Sequence, residues 1–240
     1  DGEVVQKRQE IEKDFLDIEE NNKKIILIDR KDPLKLNAIT LEIDNIKVQW
    51  EYYKKLVDKG ELNNTQESYT KLTNINHNIL DVISHVGDAS GLVLDSYLDT
   101  YYLSDATTEK LPVISEYLGE ARAWGFMVPK GKSLSQSDKQ VFLSALSVAN
   151  SNLLSLDRGM QIVFMENSDA KKVLLSEYEK TVQQSANFLG LINTEIINKH
   201  TSDINEQEYH RTTTLAINQV FDFYESSSIV LHNLLEKRID

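Results

Sequence analysis

An apolar residue recurs every three or four positions through almost the whole chain, and this seven-residue rhythm lapses in only a few places. One run reads Leu36, Ile39, Ile43, Ile46, Trp50, Tyr53 and Val57. A second reads Leu72, Ile75, Ile79, Val82, Val86, Ala89 and Val93, and a third Phe142, Leu146, Ala149, Leu153, Leu156, Met160 and Val163. On a helix this spacing draws one apolar stripe, the seam along which long helices pack with a slight supercoil. Three prolines and nine glycines in 240 residues leave such helices uninterrupted, because those two residue types cost most inside a helix. No β-rich segment competes. The chain therefore reads as all-α, an elongated antiparallel helical bundle.

Boundaries follow from caps and breakers. A first helix spans about 3–28, and Asp29-Arg30-Lys31-Asp32-Pro33 interrupts it, with Asp32 placed to cap a helix from Pro33 to about Lys59. The interruption is either a kink or a reversal. Gly60 ends that helix, Asn64 or Thr65 caps the next, and the periodicity carries it to about Ser104. Thr107, Thr108 and Pro112 mark a break before a shorter helix to Val128, and Pro129-Lys130-Gly131-Lys132-Ser133 is a loop. Ser135 caps a helix to about Met165, with Asp138 in a near capping box. Asn167-Ser168-Asp169 is a turn, the next helix ends near Lys199, and His200 to Asn205 is loop-like. With a kink at Asp29–Pro33 the chain makes six passes, which brings both ends out at the same end of the rod. Their unequal lengths suit two stacked four-helix modules sharing long helices. Helical periodicity reaches both ends of the sequence, as expected of a segment cut from a longer protein.

Charge and composition exclude several functions. A formal net charge of −12 provides no cationic face for nucleic acid and disfavours anionic lipid. With no cysteine there are no disulfides, thiolate metal sites or cysteine nucleophiles. No run approaches the ~18 apolar residues of a membrane span. Phosphate-loop, dinucleotide and zinc-protease motifs are absent. The five histidines, His77, His85, His200, His210 and His232, are scattered, and none has a glutamate three residues before it as a di-iron bundle requires. They read as surface or boundary residues, and paired carboxylates such as Glu19-Glu20 as solvated helix faces. No catalytic residue, metal or cofactor is expected.

The lapses in the rhythm carry more. Past Val93 the seam runs through Ser96, Thr100 and Leu103, among Asp95, Tyr97, Asp99, Tyr101 and Tyr102. Either the tyrosine rings pack with their hydroxyls at the surface, or the hydroxyls orient a small polar ligand in a pocket. Arg122 follows the seam residue Ala121, with Trp124 and Gly125 close behind. It can clamp a carboxylate bidentately or pair with a structural acid such as Glu120 or Asp99. Arg158 beside Asp157 has the same two readings. Ser185, Thr213 and Ser227 either satisfy their hydroxyls locally or line a second cavity.

Two stretches carry a resemblance. They are Val86-Gly87-Asp88-Ala89-Ser90-Gly91-Leu92-Val93-Leu94-Asp95 through Asp99-Thr100-Tyr101-Tyr102-Leu103, and Leu111-Pro112 with Leu118-Gly119-Glu120-Ala121-Arg122-Ala123-Trp124-Gly125. Together they resemble the all-helical extracytoplasmic sensor regions of bacterial transmembrane receptors, among them methyl-accepting chemotaxis proteins and sensor histidine kinases. Size and layout resemble the helical bimodular class. The resemblance implies a single periplasmic sensor domain over 1–240, tethered to the inner membrane through flanking spans and paired as a homodimer. It implies a small ligand, an organic acid by class, or alternatively a periplasmic binding protein as partner. A structural helical spacer is the remaining alternative. The expected ligand-binding residues are Arg122, Tyr101, Tyr102, Asp99, Tyr97, Thr100 and Trp124.

Overall fold

The computed structural model describes residues 2–28, 33–62, 64–127, 135–198 and 205–239. The expected loops at Asp29–Asp32 and Pro129–Ser133, most of the His200–Asn205 segment, and the side chains of Leu36, Val93 and Asp138 lie outside what is described. The described chain is helical, with no strand among the described residues. The helices are α1 (Gly2–Ile28), α2 (Pro33–Lys59), α3 (Thr65–Ser90), α4 (Leu98–Asp105), α5 (Leu111–Met127), α6 (Gln136–Glu166), α7 (Ser168–Ile192) and α8 (Glu206–Ile239). The expected all-α antiparallel bundle is what the chain forms.

Local chemistry sets most boundaries. Gly60 adopts φ 65° and stops α2. The Asn64 side chain accepts from Glu67 N (2.8 Å) and starts α3, while Asn167 accepts from Asp169 N and Ala170 N and starts α7.

Between Val86 and Pro112 the structure differs from the sequence reading. The helix after Asn64 does not run to Ser104. It ends at Ser90, where Gly91 takes the left-handed conformation (φ 73°) and its N–H returns to Asp88 O. One tight turn, Leu92–Leu94, and an extended Asp95 then reverse the chain into α4. Conversely, the break expected at Thr107, Thr108 and Pro112 is bridged. Ala106–Lys110 form one π-helical turn, in which Leu111 N–H reaches back five residues to Ala106 O. The wider turn accommodates a proline that lacks an N–H and crowds the carbonyl four residues before it. The Thr107 hydroxyl donates to Leu103 O and Ser104 O, and that of Thr108 to Ser104 O. Leu98 to Met127 is thus one rod, about 45 Å long at ~1.5 Å per residue.

Cross-helix pairs fix every direction. Arg8 pairs with Asp58, Glu12 with Lys54 and Glu19 with Lys47, so α1 and α2 run antiparallel and the break between them is a reversal. Gln49 with Asn78 and Glu42 with His85 oppose α2 and α3. Ser84 with Glu109 and Asn76 with Glu116 oppose α3 and the α4–α5 rod. Tyr102 against Gly159, Tyr178 on Asp157 and Thr181 on Gln219 O oppose the later helices in turn, so the described helices make seven passes rather than six, and Gly2 and Ile239 lie at opposite ends of the bundle rather than at one.

The main core lies among the α4–α5 rod, α6, α7 and α8, centred on Leu118, Phe142, Met160, Phe188 and Phe223, all fully buried. Helices α1–α3 pack along the side of this group, not end to end with it. A cavity of about 670 Å³ remains where the two groups meet, lined largely by apolar side chains such as Ile18, Ile43, Val82 and Leu231.

Candidate functional site

The continuity of the α4–α5 rod through Pro112 separates the residues expected to bind ligand. Asp99 and Arg122 stand near opposite ends of one rod, about 35 Å apart along its axis. Tyr97, Asp99, Thr100, Tyr101 and Tyr102 build one end of the bundle, and Arg122 and Trp124 belong to the other.

At the first end the polar residues organise a turn. Asp95 accepts from Tyr97 N (2.9 Å) and Asp99 from Thr100 N (2.8 Å), while the fully buried Thr100 hydroxyl donates to Tyr97 O. Asn167 donates to the second carboxylate oxygen of Asp99 (2.9 Å), tying the start of α4 to the start of α7. The Tyr102 ring lies against Gly159, where a Cβ would come within 2.9 Å of it, and Tyr101 stands edge-on to Tyr102. Tyr97 is exposed. The cluster shows ring packing, Tyr101 on Tyr102 and Tyr102 on Gly159. Removing the double tie in Asn167→Ala should cost about 1–2 kcal/mol and lower the melting temperature by a few degrees, a shift scanning calorimetry reads directly.

At the other end α3 and α5 face each other across a polar seam that the sequence reading did not contain. Glu116 and Glu120, one helical turn apart on α5, lie on the face turned to α3. From α3, Asn76 donates to Glu116 Oε2 (2.9 Å), and His77 Nε2 is 2.9 Å from Glu120 Oε1. The His77 ring tilts against Tyr117 with centroids 6.2 Å apart. Burial pushes the Glu116 carboxyl up to about 7, and the neighbouring Glu120 adds to the rise. Burial and then Glu120 also raise the Tyr69 phenol.

The seam forms one wall of a groove of about 420 Å³, which Tyr69, Thr73, Arg122 and Phe126 also line. Trp124 backs it, edge-on to Tyr69 at 5.7 Å. Among the described residues Arg122 forms no ion pair, with neither Glu120 nor Asp99. Behind it the Tyr209 hydroxyl donates to Ala121 O (2.5 Å), and burial holds that phenol far above its usual range.

Other polar seam residues make local contacts. Asp157 accepts from the Tyr178 hydroxyl, and burial, with Asp157 second, pushes that phenol up to about 12. Thr213 donates to Tyr209 O (2.6 Å), a local solution, whereas Ser185 and Ser227 are fully buried with hydroxyls that find no partner among the described residues. Among the described histidines, only His77 lies within 4.8 Å of two carboxylates that are as close to each other. A motif search misses it because the three side chains come from helices some forty positions apart. The Glu116/Glu120 spacing on one helix face was the available signal.

The fold and groove define a helical-bundle protein with a mixed acid–base seam between α3 and α5. No protein-family model matches the chain, and no curated protein or solved structure matches it either. Among the described residues no helix is long and apolar enough to cross a membrane.

Proposed function

We propose that this chain is the ligand-sensing region of a bacterial transmembrane receptor, and that the α3–α5 groove takes a small organic acid. The observation that carries the reading is Arg122, a guanidinium without an ion-pair partner among the described residues, at the edge of a groove that also offers the Tyr69 hydroxyl and the Phe126 ring. A carboxylate there would bridge α5 to α3. Closing the groove would slide or rotate the two helices, the kind of small shift packed rods transmit along their length. The resemblance of the Val86–Leu103 stretch, and of Leu111-Pro112 with Leu118–Gly125, to periplasmic sensor regions supports this reading and the inner-membrane setting it entails. Gly2 and Ile239 emerge at opposite ends, so two spans continuing α1 and α8 without a turn would not enter one bilayer together. A connecting segment at one of them is part of the proposal.

The test is a thermal-shift screen of organic acids. At a hundredfold excess over its dissociation constant, a native-state ligand adds about 2.7 kcal/mol, expected to raise the melting temperature by roughly 5–10 °C in a domain of this size. Arg122→Ala should abolish that rise. A flat screen, or an unchanged response in Arg122→Ala, removes the clamp from consideration.

One observation favours partner recognition as a second reading. Leu94 is 84% exposed, Met165 75% and Tyr97 59%, with Leu98 also exposed, all at the end where the α3–α4 and α6–α7 turns meet. Such an apolar tip suits docking of a periplasmic binding protein. Loss of partner capture in a Leu94→Asp, Met165→Asp variant, with organic acids giving no thermal shift, would favour it over the groove.

A further inference from the structure

We infer that His77, Glu116 and Glu120 form a binding site for a divalent transition-metal ion at the α3–α5 seam. One imidazole nitrogen and two carboxylate oxygens lie within 4.8 Å of one another, donated by two adjacent helices. An ion bound at about 2.0–2.2 Å from each would bring them closer by small rotamer adjustments. A neutral imidazole with two carboxylates is a donor set suited to zinc, manganese, cobalt or iron, which accept mixed nitrogen and oxygen ligands.

The surroundings suit a metal site. Asn76 holds one oxygen of Glu116, the kind of outer contact that orients a ligating carboxylate. Two carboxylates share the seam, but the cation beside them, Arg122, pairs with neither. The two carboxylates stand close enough to repel each other, and a divalent ion between them would offset that repulsion. His77 is about two-fifths exposed while Glu120 is nearly covered, so an ion could enter from the histidine side.

Three protein donors leave coordination positions open toward the groove that Arg122 lines. The metal inference does not depend on the organic-acid reading, because the ion alone is the probe. Protein stripped with a chelator and dialysed is titrated separately with manganese, cobalt and zinc chlorides by isothermal calorimetry. The expected result is saturable one-to-one binding for at least one ion, with visible cobalt absorption bands reporting nitrogen and oxygen ligation. His77→Ala and Glu120→Gln should each weaken binding at least tenfold, and Asn76→Ala about tenfold or more. Metal-free melting of each variant checks that the fold survives. Absence of one-to-one binding for all three ions overturns the site. So does binding that His77→Ala and Glu120→Gln leave unchanged, which would place the ion elsewhere on this acidic surface.

Discussion

Gly125→Ala is expected to lower the melting temperature by roughly 6–12 °C, corresponding to about 3 kcal/mol of overpacking in a domain of this size. A Cβ at residue 125 would stand 2.2 Å from the Tyr209 ring and hydroxyl. Tyr209 has nowhere to retreat. It is 3% exposed, its hydroxyl is held by Ala121 O, and Phe126 and Phe188 meet its ring edge-on. The glycine closing the Leu118–Gly125 motif is thus the slot through which the first turn of α8 docks on α5. In a Tyr209→Leu background, where the slot is empty, Gly125→Ala should cost much less, so the double-mutant cycle should show strong coupling. Additive effects would show that the slot does not set the cost.

The second large effect is pH-dependent. In chelator-treated protein, stability should fall as pH rises from about 4.5 to about 7, by up to about 3 kcal/mol. The sign follows from proton binding. An unfolded Glu116 releases its proton near 4.5, while the folded carboxyl, raised by burial and by Glu120, keeps it to about 7. Between those values the native state binds more protons than the unfolded chain, so unfolding becomes easier with each step upward. Below about 4.5 the stabilising contribution is complete, and above about 7 it is gone. The groups facing Glu116 are Glu120 and Tyr117 on its own helix and Asn76 and His77 from α3, so the transition belongs to the cluster. Glu116→Gln should flatten this limb and stabilise the protein at pH 8. Denaturant melts across the range check it, and an unchanged slope in Glu116→Gln would place the pH dependence elsewhere.

Both effects sit where local pattern and tertiary structure part company. The heptad rhythm fixed the helices because burial of a stripe every three to four residues is a local property, as the fully buried Phe142, Ala149, Leu156, Met160 and Val163 attest. Helix ends were legible for the same reason, since Gly60 and the cap offered at Asn64 or Thr65 act within a few residues, whereas Asn167, read only as part of a turn, also caps α7. The turn at Gly91–Tyr97 was misread because the apolar spacing runs on through Val93. Gly91 and Asp95, each a turn former, were the competing signal, and the close approach of Gly87 to Thr108 (3.2 Å for an added Cβ) shows the hairpin they make. Pro112 was misread in the opposite sense, because a single π-helical turn absorbs it.

The amino-acid sequence alone determined that this chain is a set of amphipathic rods, without cysteine chemistry and with a strongly acidic surface, since propensity, periodicity and charge need no partner helix. Only the tertiary structure decided how many passes the rods make, which ends meet, and that Arg122 parts from Tyr97 and Tyr101 to join a seam of His77, Glu116 and Glu120. Those outcomes depend on contacts between residues tens of positions apart, and a repeating stripe is compatible with more than one order of neighbours.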